Sequence, residues 1–201
     1  MDDKCLQYLF SFLDTESLTR AAQTCSKWHD LVQVPALWSS VELLVAKALV
    51  VDKSLQILGP KLEMAREVSL LSCRRITADG LAAAGPYLKN CESLNLGGVW
   101  NTTDAALEDV LSHTPRLQTL LVGGCHLLTD ASLAVITRKC PDIEHVSFRF
   151  LWDLSADGII NFIQSTPSLN HIDLTHIPAV DEALINVAAN IRPDLTVVID
   201  S

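Results

Sequence analysis

The sequence predicts an α/β solenoid: parallel strands along a concave face, helices along the convex face, and three short helices closing the N-terminal end. Three observations lead there. Apolar residues recur at a fixed step of 26 from residue 68 onward. A Ser, Thr or Asp follows each apolar group at a constant offset, where a helix would start. The residues before Val41 lack this period and carry helical spacing instead.

Stepping by 26 gives Val68, Leu94, Leu120, Val146 and Ile172, each followed two residues on by Leu70, Leu96, Val122, Phe148 and Leu174. From the second unit, Cys91, Leu117, Ile143 and Leu169 precede them by three. Alternation of this kind marks a strand with one buried side. The next step lands on Leu195, Val198 and Asp200, where the last apolar position is expected to fail. Because the chain stops on that strand, a longer array is expected.

Helices follow the strands. Thr77, Thr103, Thr129, Ser155 and Asp181 read as N-caps, and Leu81, Leu107, Leu133, Ile159 and Ile185 as the first buried turn. Proline at 115, 141, 167 and 193 then prevents continuation. Such a unit cannot bury its apolar face alone, so units must stack. Strands lie about 4.8 Å apart and the helices are bulkier, so the stack bends with its strands inside.

Earlier residues divide differently. Leu6, Leu9, Phe10 and Leu13 share one face of a helix over 4–13. Leu18, Ala21, Ala22 and Cys25 mark a second helix, and Trp28, Leu31 and Val32 a third that Pro35 stops. Trp28 and Trp38 are expected in the core between these helices and the first strand. Val41–Leu43 precedes Val68 and Leu70 by 27 and reads as that strand, with a helix over 44–58 ended by Gly59-Pro60. Two parts result: a helical module over 1–40, and about six repeats plus a terminal strand over 41–201.

Composition limits the function. Apolar residues make up 49% and charged residues 19%, enough apolar surface for a folded core. A net charge of −9 argues against nucleic acid as a partner. The most apolar run, Val41 to Val51, contains Glu42 and Lys47 and falls short of the ~20 residues of a membrane span, so no membrane partner is expected. The start, Met1-Asp2-Asp3-Lys4, is acidic where an export signal is basic. With no Cys-x-x-Cys pair, the six cysteines read as reduced and buried, in a cytoplasmic or nuclear protein.

Two resemblances attach to particular residues. Leu120-x-Val-x-x-Cys125-x-x-Leu128-Thr129-Asp130 resembles the cysteine-containing class of leucine-rich repeats, and the likeness covers 65–201. Leu9-Phe10-Ser11-Phe12-Leu13, then Thr24-Cys25-Ser-Lys-Trp28, then Pro35-Ala-Leu37-Trp38, resembles an F-box. The family usually opens this module with Leu-Pro, where Met1-Asp2 stand here. The resemblance implies a Skp-type adaptor as partner and, through it, a cullin-RING ubiquitin ligase that receives a target protein. Leu6, Leu9, Phe10, Leu13 and Leu18 are the candidate adaptor contacts. A leucine-rich scaffold without adaptor affinity is the alternative.

Target contact is expected on the concave side. Trp100 and Trp152 share one repeat position, with Arg74 and His126 in the same ladder. Arg149, Phe150, His145 and His171 complete the candidate set, since exposed aromatics beside arginine are the composition of interface hot spots. The other possibility is that each tryptophan folds back over its own turn. Gly97-Gly98 and Gly123-Gly124 either open a groove or serve only as turn residues.

No nucleotide-binding glycine loop or nucleophile elbow occurs. His145 and His171 align but lack a third ligand, so no metal is expected. The expectation is a non-catalytic protein with no cofactor, recruiting an unidentified target to a ligase.

Overall fold

A computed structural model describes residues 2–43 and 50–200. Seven strands form one parallel sheet in strict chain order. They are β1 (Ser40–Glu42), β2 (Glu67–Ser69), β3 (Ser93–Asn95), β4 (Thr119–Leu121), β5 (His145–Ser147), β6 (His171–Asp173) and β7 (Thr196–Val198). Val68, Leu94, Leu120, Val146 and Ile172 stand opposite one another in adjacent rungs, as the 26-residue step requires. Val41 meets Val68, so the first strand falls where its 27-residue offset placed it.

The last rung departs from the sequence reading. Ile172 pairs with Val197 rather than Val198. The unit is one residue shorter, which turns Val197 toward the core and leaves Val198 outward. A one-residue slip exchanges the two faces of a strand.

Three helices make the N-terminal module: α1 (Asp3–Phe10), α2 (Thr15–Ala22) and α3 (Ser26–Val32), followed by a 3-10 turn at Pro35–Trp38. The convex helices are α4 (Asp52–Leu62), α5 (Ala78–Ala84), α6 (Asp104–Leu111), α7 (Asp130–Lys139), α8 (Ala156–Ser165) and α9 (Glu182–Ile191). Each of α5 to α9 begins on its expected cap: Thr77, Thr103, Thr129, Ser155 and Asp181 all accept a hydrogen bond from a first-turn N–H.

The expected helix over 44–58 is displaced. Residues 44–49 lie outside the described residues, and α4 runs through Gly59 and Pro60. Gly59 serves packing rather than termination, because a Cβ there would lie 2.5 Å from the Tyr87 ring of the next unit. Pro60 sits near the C-terminal end of α4, where losing one N–H breaks little of the helix.

Acidic residues tie the units together beyond their capping role. Asp104 accepts from the Thr129 N–H at 3.0 Å and its hydroxyl at 2.8 Å. Asp130 does the same for Ser155, at 2.9 and 2.5 Å, and Asp52 for Thr77, at 2.8 and 2.7 Å. Ala78 and Ala156 occupy the equivalent places elsewhere.

One continuous core runs from Leu6 to Leu195. Trp38 is buried, donates its indole N–H to the Val32 carbonyl at 2.9 Å, and carries the Lys61 ammonium over its ring at 4.2 Å. Burial lowers the pKa of Lys61. Thr15 Oγ1 accepts from the Glu42 N–H at 3.1 Å, fastening α2 to β1. The helical module is therefore packed onto the first rung. Among the described residues no helix is long and apolar enough to cross a membrane.

Four cysteines follow expectation and two do not. Cys73, Cys91, Cys125 and Cys140 are buried, and burial pushes the thiols of Cys91 and Cys140 up to about 12 and that of Cys125 to about 11. Cys5 and Cys25 are exposed. Cys25 precedes α3 as its N-cap instead of continuing α2, which turns its side chain outward.

Candidate functional site

Two surfaces stand out. The first lies on α1 and the bend after it. That helix is apolar on two sides, and only one can pack inward. Leu6 and Phe10 fill the bundle, Phe10 meeting Trp28 edge-on at 5.1 Å. The other side shows Tyr8 (67% exposed), Leu9 (50%), Phe12 (69%) and Leu13 (37%). Tyr8 and Phe12 contact one another edge-to-face at 5.1 Å. Beside them a groove of about 590 Å³ opens between α2 and β1, lined by Leu13, Glu16, Leu37 and Leu43 among others.

The second surface is the rim formed by the turns after the strands. The units of β2 to β6 each place a left-handed residue there: Ser72, Gly98, Gly124, Phe150 and His176 all have φ between 59° and 74°. Two residues later the side chains pair from unit to unit. Arg74 covers the Trp100 ring at 4.2 Å, and His126 stacks on Trp152 at 4.6 Å. His126 Nδ1 also lies 3.0 Å from the Phe150 carbonyl oxygen. Phe150 stacks on His176 at 4.4 Å, and His176 Nδ1 lies 2.9 Å from an Asp200 carboxylate oxygen. Arg149 sits 5.7 Å from the Phe150 ring, its Nε 3.6 Å from Asp173.

The rim remains accessible despite this pairing: Trp100 is 47% exposed and Trp152 59%. The tryptophans thus neither stand free nor fold back over their own turns; each is held by the residue one unit earlier. His145 and His171 stack at 5.8 Å on the strands themselves, apart from the rim. Among the described residues no group of three His, Cys, Asp or Glu gathers as a metal ion would require.

Comparison with known proteins bears on the first surface. A family described as F-box-like matches residues 3–43. "F-box and leucine-rich protein 22" of Homo sapiens is 44% identical over 62 residues, which cover 31% of this chain and 24% of that protein. "F-box protein SKIP17" of Arabidopsis thaliana is 24% identical over 208 aligned residues, covering 92% of this chain and 43% of that one. The leucine-rich repeat-containing protein LegL7 from Legionella pneumophila superposes with a TM-score of 0.53 over 78% of this chain and 53% of that chain; at 16% identity it shows a shared fold.

The chain therefore joins an F-box-like segment over residues 3–43 to a repeat region with the leucine-rich-repeat fold. It spans less than half the length of the curated relatives it matches. F-box proteins of this kind generally act in SCF ubiquitin ligases, and members of the F-box/leucine-rich-repeat family are typically non-catalytic adaptors.

Within the F-box, the five expected adaptor contacts separate. Leu9 and Leu13 are exposed, whereas Leu6, Phe10 and Leu18 are buried and hold the helices together. They need correction as direct contacts: forty residues bury more apolar surface once packed on the first rung than they would alone. Tyr8 and Phe12, not among the sequence candidates, share the exposed patch with Leu9 and Leu13. The signal for them was a second apolar stripe on α1, offset from Leu6 and Phe10, that a single-face reading overlooks. Among the repeats, Arg74, Trp100, His126, Arg149, Phe150 and Trp152 come together on the rim, while His145 and His171 belong to the strand face.

Proposed function

We propose that this chain is the target-recruiting subunit of an SCF-type ubiquitin ligase. Its F-box would dock on a Skp-type adaptor, and its repeats would hold a target protein for ubiquitination and turnover in the cytoplasm or nucleus. It contributes no catalytic group of its own; it raises the concentration of target beside the ligase.

The observation that supports the reading is the apolar patch of Tyr8, Leu9, Phe12 and Leu13, which lies inside the matched F-box-like segment and stays exposed among the described residues. Contiguous apolar surface of this kind marks an interaction site. Capture of a purified Skp-type adaptor by the 201-residue chain tests it, with Leu9→Asp and Phe12→Asp as controls. Micromolar capture by the wild type, lost by at least about tenfold in each variant, is the expected result. No capture by the wild type would leave a leucine-rich interaction scaffold.

A further inference from the structure

The rim contains a break in its side chains. At the second and third positions after strands β2 to β6, the flanking units carry Leu71-Ser72, Arg149-Phe150 and Thr175-His176, while the two central units carry Gly97-Gly98 and Gly123-Gly124. The left-handed backbone does not explain all of this. Ser72, Phe150 and His176 adopt the same conformation with a side chain attached. Space does not forbid one at the left-handed positions either: a Cβ on Gly124 would meet nothing closer than 3.8 Å, and one on Gly98 nothing closer than 3.4 Å, whereas Gly97 and Gly123 are tighter, at 3.0 Å from Leu71 and 3.3 Å from Arg149. The result is a notch two units wide with a floor of bare backbone. Leu71 and Arg149 lean in from its two ends, and Trp100 and His126 stand along its lip.

The charge around the notch runs against that of the chain. The protein carries −9 overall, yet the turns over 71–76, 97–102 and 123–128 contain no Asp or Glu. Arg74 and Arg75 stand at one end and Arg149 at the other. Arg75 has no hydrogen bond or ion pair among the described residues. Arg149 makes a long contact from Nε to Asp173 at 3.6 Å and lies 5.7 Å from the Phe150 ring, neither of which hydrogen-bonds its terminal nitrogens.

From this we infer that the notch binds an extended acidic segment of the target, lying across the repeats. The inference rests on the target-recruiting reading and names the chemistry of what is recruited. Three strand spacings separate the arginine ends, about 14 Å at ~4.8 Å each. An extended chain crosses that distance in about four residues. The favoured segment therefore carries two carboxylates four positions apart, Glu-x-x-x-Glu, with an apolar residue midway between them. The carboxylates pair with the arginines, and the central residue rests on the glycine floor against Trp100 and His126.

The test uses a fluorescein-labelled peptide, Gly-Ser-Glu-Ser-Leu-Ser-Glu-Ser-Gly, titrated with the full chain by fluorescence polarisation. Saturable binding is expected below about 100 μM, weakening at least about tenfold when both Glu become Gln. The same loss is expected with Arg149→Gln and with Gly124→Asn, since Asn tolerates the left-handed backbone and fills the notch. Adaptor capture by these two variants stays at the wild-type level, which shows that they fold. Absence of saturable binding, equal binding of the Gln peptide, or indifference to both variants overturns the acidic-segment assignment while adaptor capture stands. Loss of adaptor capture by the wild type alone overturns the ligase reading and leaves this site intact.

Discussion

The two exposed surfaces are built on opposite principles. On α1 the aromatic and aliphatic side chains face solvent with only each other for company: Tyr8 touches Phe12, and neither has a charged neighbour stacked on its ring. On the rim, Trp100 is covered on one side by Arg74, Trp152 by His126 and Phe150 by His176. A surface of the first kind gains most when a partner excludes water from all of it, and suits a standing subunit. One of the second kind is already partly satisfied and keeps polar atoms in reach, so it can lie open and engage a ligand reversibly. Different salt responses follow. Adaptor docking should change little with ionic strength, whereas acidic-peptide binding at the rim should weaken steeply from about 50 to 300 mM salt, the range in which the Debye length shrinks. Equal salt slopes in the two assays would erase the distinction.

Substitutions of neighbouring phenylalanines sharpen the comparison most. Phe148 and Phe10 are buried, and each truncation to alanine should lower stability by about 3–5 kcal/mol in denaturant titration. Phe150→Ala and Phe12→Ala, two positions away in each case, should cost no more than about 1 kcal/mol. If Phe12→Ala proved as costly as Phe10→Ala, the α1 patch would be core rather than interface.

Smaller effects probe the frame that carries both surfaces. Asp130→Ala removes two hydrogen bonds between units and should lower stability by about 2 kcal/mol. Thr102→Val should raise it by about 1 kcal/mol, because the Thr102 hydroxyl is buried beside the Cys125 thiol without a hydrogen bond of ordinary geometry. A loss on Thr102→Val would show that the thiol contact is a working hydrogen bond. Alkylation of the native protein near pH 8 should modify Cys5 and Cys25 quickly and the four buried cysteines only on unfolding, since burial holds the thiols of Cys91, Cys125 and Cys140 well above that pH. The same shifts set a sign. The unfolded chain loses thiol protons near pH 9 while the folded chain keeps them, so stability should fall as pH rises above about 9.

What the sequence displays depends on how local the cause is. The period from Val68 to Ile172 exposes strand register, and Thr77 to Asp181 expose helix starts, because each rests on neighbours at fixed offset. Gly59-Pro60 misleads, since the reason for Gly59 is the Tyr87 ring in the following unit. The shift to Val197 hides for a similar reason: a one-residue shortening leaves both Val197 and Val198 plausible until the rung is built. On the rim the sequence reveals the ladder from Arg74 to Trp152 but not its pairing of Arg74 with Trp100 and of His126 with Trp152. On α1 it offers two apolar stripes without saying which one faces inward.

The carboxylate ties between units are unevenly spaced, and this has a mechanical consequence. Asp104 and Asp130 clamp two successive junctions, while Ala156 leaves the junction before Asp181 without a carboxylate clamp, and Arg192 bridges it only at the far end of the helix, to the Thr166 and Leu169 carbonyls at 3.2 and 2.8 Å. In a stack held only by nearest neighbours, separation begins at the weakest seam. Tension applied at the C-terminus in an optical trap should peel α9 and β7 first, as a discrete low-force step, while the glycine notch and the helical lid remain folded behind the clamped pair.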